Sequence, residues 1–151
     1  MDKTLKLTDD VRQSLIGREG KAMSATVEVG QIRRFADAIG DGNLLWIQRE
    51  AAENAGYRDV MAPPTFLRSI SAAVPSVPEL SHLTRVLDGG SEWNYFAPVY
   101  AGDQIAAVSR IANLTQRSLS IGLAVFATLE VTYTNQHSEV VAKQRSTIIR
   151  Y

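Results

Sequence analysis

Leu119-Ser120-Ile121-Gly122-Leu123-Ala124-Val125-Phe126-Ala127-Thr128-Leu129-Glu130-Val131-Thr132-Tyr133 carries the strongest period of two in the chain. Ile121, Leu123, Val125, Ala127, Leu129, Val131 and Tyr133 alternate with Ser120, Gly122, Thr128, Glu130 and Thr132. Successive side chains of a strand point to opposite faces, so the run predicts a long strand with one face on a core. Asn135-Gln136-His137-Ser138 then supplies turn residues, and 139–151, with Val140, Val141, Ile148 and Ile149, reads as the returning strand although it alternates less cleanly.

Upstream, 104–112 holds Ile105, Val108 and Ile111, and a turn over 98–103 separates it from the aromatic-rich stretch Ser91-Glu92-Trp93-Asn94-Tyr95-Phe96. Before Pro75-Ser76-Val77-Pro78 the pattern is helical. Pro63 and Pro64 open a helix expected to run to Val74, because a first turn tolerates residues without an N–H. Phe66, Leu67, Ile70, Ala73 and Val74 share one face of it, and Arg68 is its only charge. Such an apolar helix requires cover on several sides.

In the first third, Thr8-Asp9-Asp10 caps a short helix closed by Gly17, and 22–29 reads as a modest strand. Val29, Ile32, Phe35, Ala36 and Ile39 repeat at helical spacing, with Gly40 where a helix end favours a left-handed residue. A second helix-prone segment covers 49–54. Helices early and long strands late predict an α+β domain over 1–151, an antiparallel sheet with helices collected on one face.

The 16 Lys and Arg balance the 16 Asp and Glu, so net charge favours neither nucleic acid nor an anionic membrane as partner. Cysteine is absent, which excludes a thiolate nucleophile and cysteine-ligated metal. Two distant histidines, His82 and His137, do not make a metal site. MDKTLKLTDD lacks the apolar core of a signal peptide, and no apolar run is long enough to span a bilayer, which predicts a cytoplasmic protein.

Four stretches in order resemble the MaoC-like dehydratases, in particular their FAS1-like or MaoC N-terminal dehydratase branch. They are 32–41 (IRRFADAIGD), 62–67 (APPTFL), Ser91-Glu92-Trp93 with Pro98 and Gly102-Asp103, and 132–136 (TYTNQ). The resemblance implies a hot-dog fold, a long antiparallel sheet wrapped round a central apolar helix. It also implies a hydro-lyase chemistry: reversible hydration of a trans-2-enoyl thioester to an (R)-3-hydroxyacyl thioester. The thioester, on coenzyme A or acyl carrier protein, is the substrate, and no cofactor is implied.

In that family an Asp-x-Asn-Pro-x-His motif at a helix end holds and deprotonates water, while backbone N–H groups polarise the thioester carbonyl. Its Asp falls on Asp41 and its Asn on Asn43, but its Pro falls on Leu44 and its His on Trp46. The glycine whose N–H serves the thioester falls on Pro64, which has none. General-base loss costs about 10²–10⁴-fold and one oxyanion donor about 10²–10³-fold. The resemblance therefore implies a degenerate protomer that pairs with a catalytic MaoC-like partner and shapes the acyl tunnel, in a domain expected to dimerise either with itself as a homodimer or with such a partner as a heterodimer.

Asp41 and Asn43 equally fit a local cap or Asx-turn. Trp46 suits a core anchor, and Ser69, placed where catalytic relatives hold a serine near the thioester, also suits a bond to a carbonyl one turn back. Arg68, with Arg33 and Arg34, is a candidate for coenzyme A phosphates. One alternative is a self-sufficient homodimeric hydratase in which His82 serves Asp41 as an unconventional base. Another is an acyl-CoA-binding or scaffold module without chemistry.

Overall fold

Asn135 sets the register of the sheet. Its Oδ1 accepts the N–H groups of His137 (3.0 Å) and Glu139 (3.1 Å), closing a tight turn in which Ser138 takes φ 60°. The computed structural model describes residues 7–120 and 122–151. On either side of this turn run β4 (Gly122–Thr134) and β5 (Val140–Arg150), and with β1 (Met23–Thr26), β2 (Val86–Tyr95) and β3 (Gln104–Leu119) they form one antiparallel sheet. Its spatial order is β1-β3-β4-β5-β2. Val125, Ala127, Leu129, Val131 and Tyr133 are buried, as the period of two predicts; Ile121 lies outside the described residues.

The strands are longer than the sequence pattern indicated, β3 by seven residues at its far end and β2 by five at its start. The register of β2 slips between Asp88 and Ser91 at Gly89-Gly90, so a bulge interrupts this edge strand. The helices are α1 (Asp9–Leu15), α2 (Val29–Ala38) and α3 (Arg49–Asn54). Within α2, Ile32 and Ala36 are sealed while Val29 and Ile39 at its ends stay exposed. Full burial of one such aliphatic side chain is worth about 1.5–3 kcal/mol.

The central helix is present but short. Pro64–Ser69 forms a 3₁₀ helix that buries Phe66 and Leu67, and Ile70 is already extended (φ −93°, ψ 100°) where α-helix to Val74 was expected. Ser69 explains the stop. Its Oγ donates to the Phe66 carbonyl at 2.7 Å, the acceptor that an α-helix would offer to the Ile70 N–H, and Ile70 bonds Leu67 O instead (3.0 Å). Beyond it the carbonyls are claimed from elsewhere in the chain, Ala73 O by the Ser109 hydroxyl and Ser76 O by the Arg18 guanidinium (2.8 Å). Gly20 makes this approach possible, since a Cβ there would sit 1.9 Å from Ala73 O.

Two apolar clusters result. One gathers Ile32, Ala36, Trp46, Phe66, Leu67, Ile70, Ile105 and Tyr133; the other gathers Leu15, Leu80, Leu83, Ile111, Leu114 and Leu129. A buried carboxylate, Asp103, ties loops to the first. It accepts from the Tyr100 N–H (2.9 Å), the Gln136 amide (3.0 Å) and the Arg58 guanidinium, which lies over the Tyr100 ring.

Candidate functional site

Asp41 is placed by the end of α2. Gly40, at φ 69°, lets the chain reverse, so that its N–H bonds Asp37 O (3.1 Å) and the Asp41 N–H bonds Ala36 O (2.9 Å), a Schellman closure. The Asp41 carboxylate is then held on both oxygens: Oδ1 accepts the Asn43 N–H at 3.1 Å, and Oδ2 accepts the Trp46 indole N–H at 2.8 Å. Asn43 caps the short 3₁₀ turn Leu44–Trp46, its Oδ1 accepting the Leu45 N–H at 3.0 Å. Trp46 is buried with the first cluster. Trp46 thus donates to Asp41, and an indole can only donate and cannot carry a proton between two partners.

Trp46 and Pro64 face one apolar cleft of about 280 Å³, whose walls also include Met61, Leu67, Tyr95 and Phe96. Pro63 and Pro64 offer it no N–H. Among the described residues its one titratable side chain is Tyr95, whose phenol is pushed above its ordinary range by burial. Asp41 lies behind Trp46 and does not line this cleft. Phe96 is 61% exposed and Tyr95 44% exposed, so the cleft opens beside the end of the edge strand β2.

The remaining sequence candidates scatter. Ser69 is committed to Phe66 O, and Arg68 reaches across to Asp88 (3.3 Å) with both side chains largely exposed. Arg33 donates to Ile47 O at 3.1 Å. His82 is exposed between Leu80 and Leu83, which belong to the second cluster, whereas Trp46 belongs to the first. The chain itself therefore does not bring an imidazole to Asp41, whose two oxygens are bonded to Asn43 and Trp46. His137 is exposed in its hairpin turn. Among the described residues no three His, Cys, Asp or Glu side chains converge as a metal site, and no helix is long and apolar enough to cross a membrane.

A second hollow, of about 230 Å³, lies between residues 68–74 and the sheet, with Ser109, Val131, Tyr133, Gln144 and Ser146 on its floor. The sequence reading did not single out Ser109, Gln144 or Ser146. The signal was present in the imperfect alternation of 139–151, because Gln144 pairs with Val131 and Ser146 with Leu129, which turns both polar side chains inward. Burial pushes the Tyr133 phenol up to about 12.

A long antiparallel sheet closed over a short apolar helix, with Trp46 of the turn after α2 and the helix start at Pro64 facing a common cleft, defines a hot-dog fold of the MaoC-like dehydratase kind. The chain belongs to the FAS1-like, dehydratase domain region family, which it matches over residues 14–144. It is 38% identical to a UPF0336 protein of Saccharopolyspora erythraea over 144 residues, covering 91% of this chain and 89% of that one. Its fold is similar to the MaoC-like dehydratase from Rhodospirillum rubrum (TM-score 0.74, 19% identity, 90% and 92% of the two chains). It is also similar to a chain of the C-terminally truncated HadBC (3R-hydroxyacyl-ACP dehydratase) complex from Mycobacterium tuberculosis (TM-score 0.72, 23% identity, 89% and 96%). At these identities the two structural likenesses speak for the fold alone.

Proposed function

We propose that this chain is the degenerate, substrate-shaping protomer of an (R)-specific enoyl-thioester hydratase or 3-hydroxyacyl-thioester dehydratase. The observation that carries the reading is the cleft at the motif position. It is walled by Trp46, Pro63, Pro64 and Phe96, and among the described residues its one exchangeable side-chain proton belongs to the Tyr95 phenol, which burial makes harder to ionise. Hydration needs a base for water, an acid for the α-carbon and a donor for the thioester oxygen. Here Asp41 is bonded to indole, Trp46 replaces the imidazole and Pro64 replaces the amide donor.

A partner of the same fold supplies these groups in this reading, and this chain contributes apolar walls for the acyl group. The edge strand β2, with Val86, Leu87, Tyr95 and Phe96 exposed along or just after it, is the surface such a partner covers. The HadBC dehydratase, a complex of chains with this fold, supports a partner of that kind.

The test is enoyl-CoA hydration by the purified chain alone and mixed with a MaoC-like protein encoded nearby. The chain alone is expected to stay at the uncatalysed background, and the mixture to exceed the partner by itself. Robust turnover by the chain alone would overturn the reading.

A further inference from the structure

The hollow beneath residues 68–74 has a floor that an alkyl group does not need. Along β3, β4 and β5, Ser109 pairs with Val131 and Val131 with Gln144; one row on, Leu129 pairs with Ser146. On one side of these rows lie Ala107, Tyr133 and Ala142 of the first cluster, and on the other Leu114 and Ala127 of the second, while Ile111 lies in the second row opposite Leu129. Ser109, Gln144 and Ser146 thus set polar groups beside Val131 and Leu129 on the inner face of the sheet, where the two clusters meet.

Two of its groups are already used. The Ser109 hydroxyl donates to Ala73 O, and the Tyr133 hydroxyl donates to Gln144 Oε1 at 3.3 Å. That bond turns the other end of the amide, Nε2, to the hollow. Gln144 is only 6% exposed, and among the described residues no protein acceptor takes its Nε2 hydrogens. Among the described residues no sealed side-chain polar atom lacks a partner, so Nε2 is reached through the hollow that Gln144 lines. A saturated chain lying there would strip water from this amide and return nothing, a loss comparable to about a tenfold change in affinity. A neutral oxygen at that depth would take the hydrogen bond. Among the described residues the one cation at the rim, Arg68, is engaged by Asp88 at 3.3 Å, so the hollow does not call for an anion.

We infer that this hollow selects acyl groups carrying an oxygen function, keto or hydroxyl, remote from the thioester, and that Gln144 is the residue that determines this specificity. The inference rests on the acyl-thioester reading above.

Calorimetry on the full chain tests it, with a medium-chain saturated acyl-CoA and the same chain bearing a keto group at successive positions. At least one keto position is expected to bind about tenfold tighter than the saturated probe, and Gln144→Met, which keeps the length of the side chain, is expected to level the two. The unmutated protein gives a second measurement: the nitrogen-labelled Gln144 side-chain amide signal shifts with the preferred keto probe and not with the saturated one. Equal binding of all probes, survival of the preference in Gln144→Met, or an amide signal indifferent to the keto group overturns the assignment. Failure of every thioester to bind overturns the acyl-thioester reading together with it, an outcome distinct from equal binding.

Discussion

The bond between the Trp46 indole and Asp41 decides whether the acid is a structural group or a free base, and a double-mutant cycle measures it. Trp46→Phe keeps an aromatic ring in the first cluster and removes the N–H that sits 2.8 Å from Oδ2. Asp41→Ala removes the acceptor, and the double variant completes the cycle. A hydrogen bond to a charged acceptor contributes about 1.5–3 kcal/mol. Asp41 is half-buried and its Oδ1 keeps the Asn43 N–H, so water can replace the indole in part, and the coupling expected is about 1–2 kcal/mol. Packing lost with the smaller ring adds to the single-variant cost but cancels in the cycle, whereas Trp46→Ala should cost about 3–5 kcal/mol outright.

Urea titration of the four proteins, followed by the fluorescence of the remaining Trp93, gives the coupling directly. In melting temperature, each kcal/mol corresponds to about 2–4 °C for a chain of this size. A coupling below about 0.3 kcal/mol, within the additivity of unconnected sites, would refute the reasoning. Asp41 would then be free to act as a base, and the non-catalytic reading would lose its local support.

Trp46→His alone places an imidazole beside Asp41 but leaves Pro64 without an amide donor; on the proposed reading hydration by the isolated chain is expected to stay at background, and only Trp46→His with Pro64→Gly to bring measurable turnover, one oxyanion donor being worth about 10²–10³-fold. Asp103→Ala strands the Tyr100 N–H and the Gln136 amide and is expected to cost about 3 kcal/mol in urea unfolding, the low end for a broken buried pair because Arg58 itself is half exposed; Asp103→Asn should recover part of it. Gly20→Ala drives a methyl into Ala73 O and is expected to cost at least about 1–3 kcal/mol, with faster amide exchange in β3 around Ser109. Tyr133 is neutral in the fold, with its pKa raised to about 12 by burial against an ordinary value of about 10. The stability it adds is complete below pH ~10 and lost progressively towards pH ~12, so Tyr133→Phe should flatten the alkaline fall of the melting temperature, and an unchanged slope would count against the assignment.

How much of this was legible depends on whether local or distant groups decide each element. The odd positions of β4 and the Gly40 helix stop depend on neighbours in sequence, and both read correctly. The length of the central helix does not. Its apolar positions keep helical spacing to Val74, but Ser69 competes for Phe66 O, and Ser109 and Arg18, far away in the chain, capture the carbonyls that follow. The site divided in the same way: the turn holding Asp41, Asn43 and Trp46 and the helix start at Pro64 stood out in the sequence, while the indole bond that ties Asp41 and the inward turn of Gln144 emerge only from side-chain placement and strand register. These two surprises have a common consequence. The cleft by Pro64 offers no N–H from Pro63 or Pro64, and beyond the helix that stops at Ser69 a hollow lies between residues 68–74 and the sheet. In the reading proposed above, an apolar cleft at one end of the short helix and a hollow beyond its other end are what a protomer devoted to holding the acyl group requires.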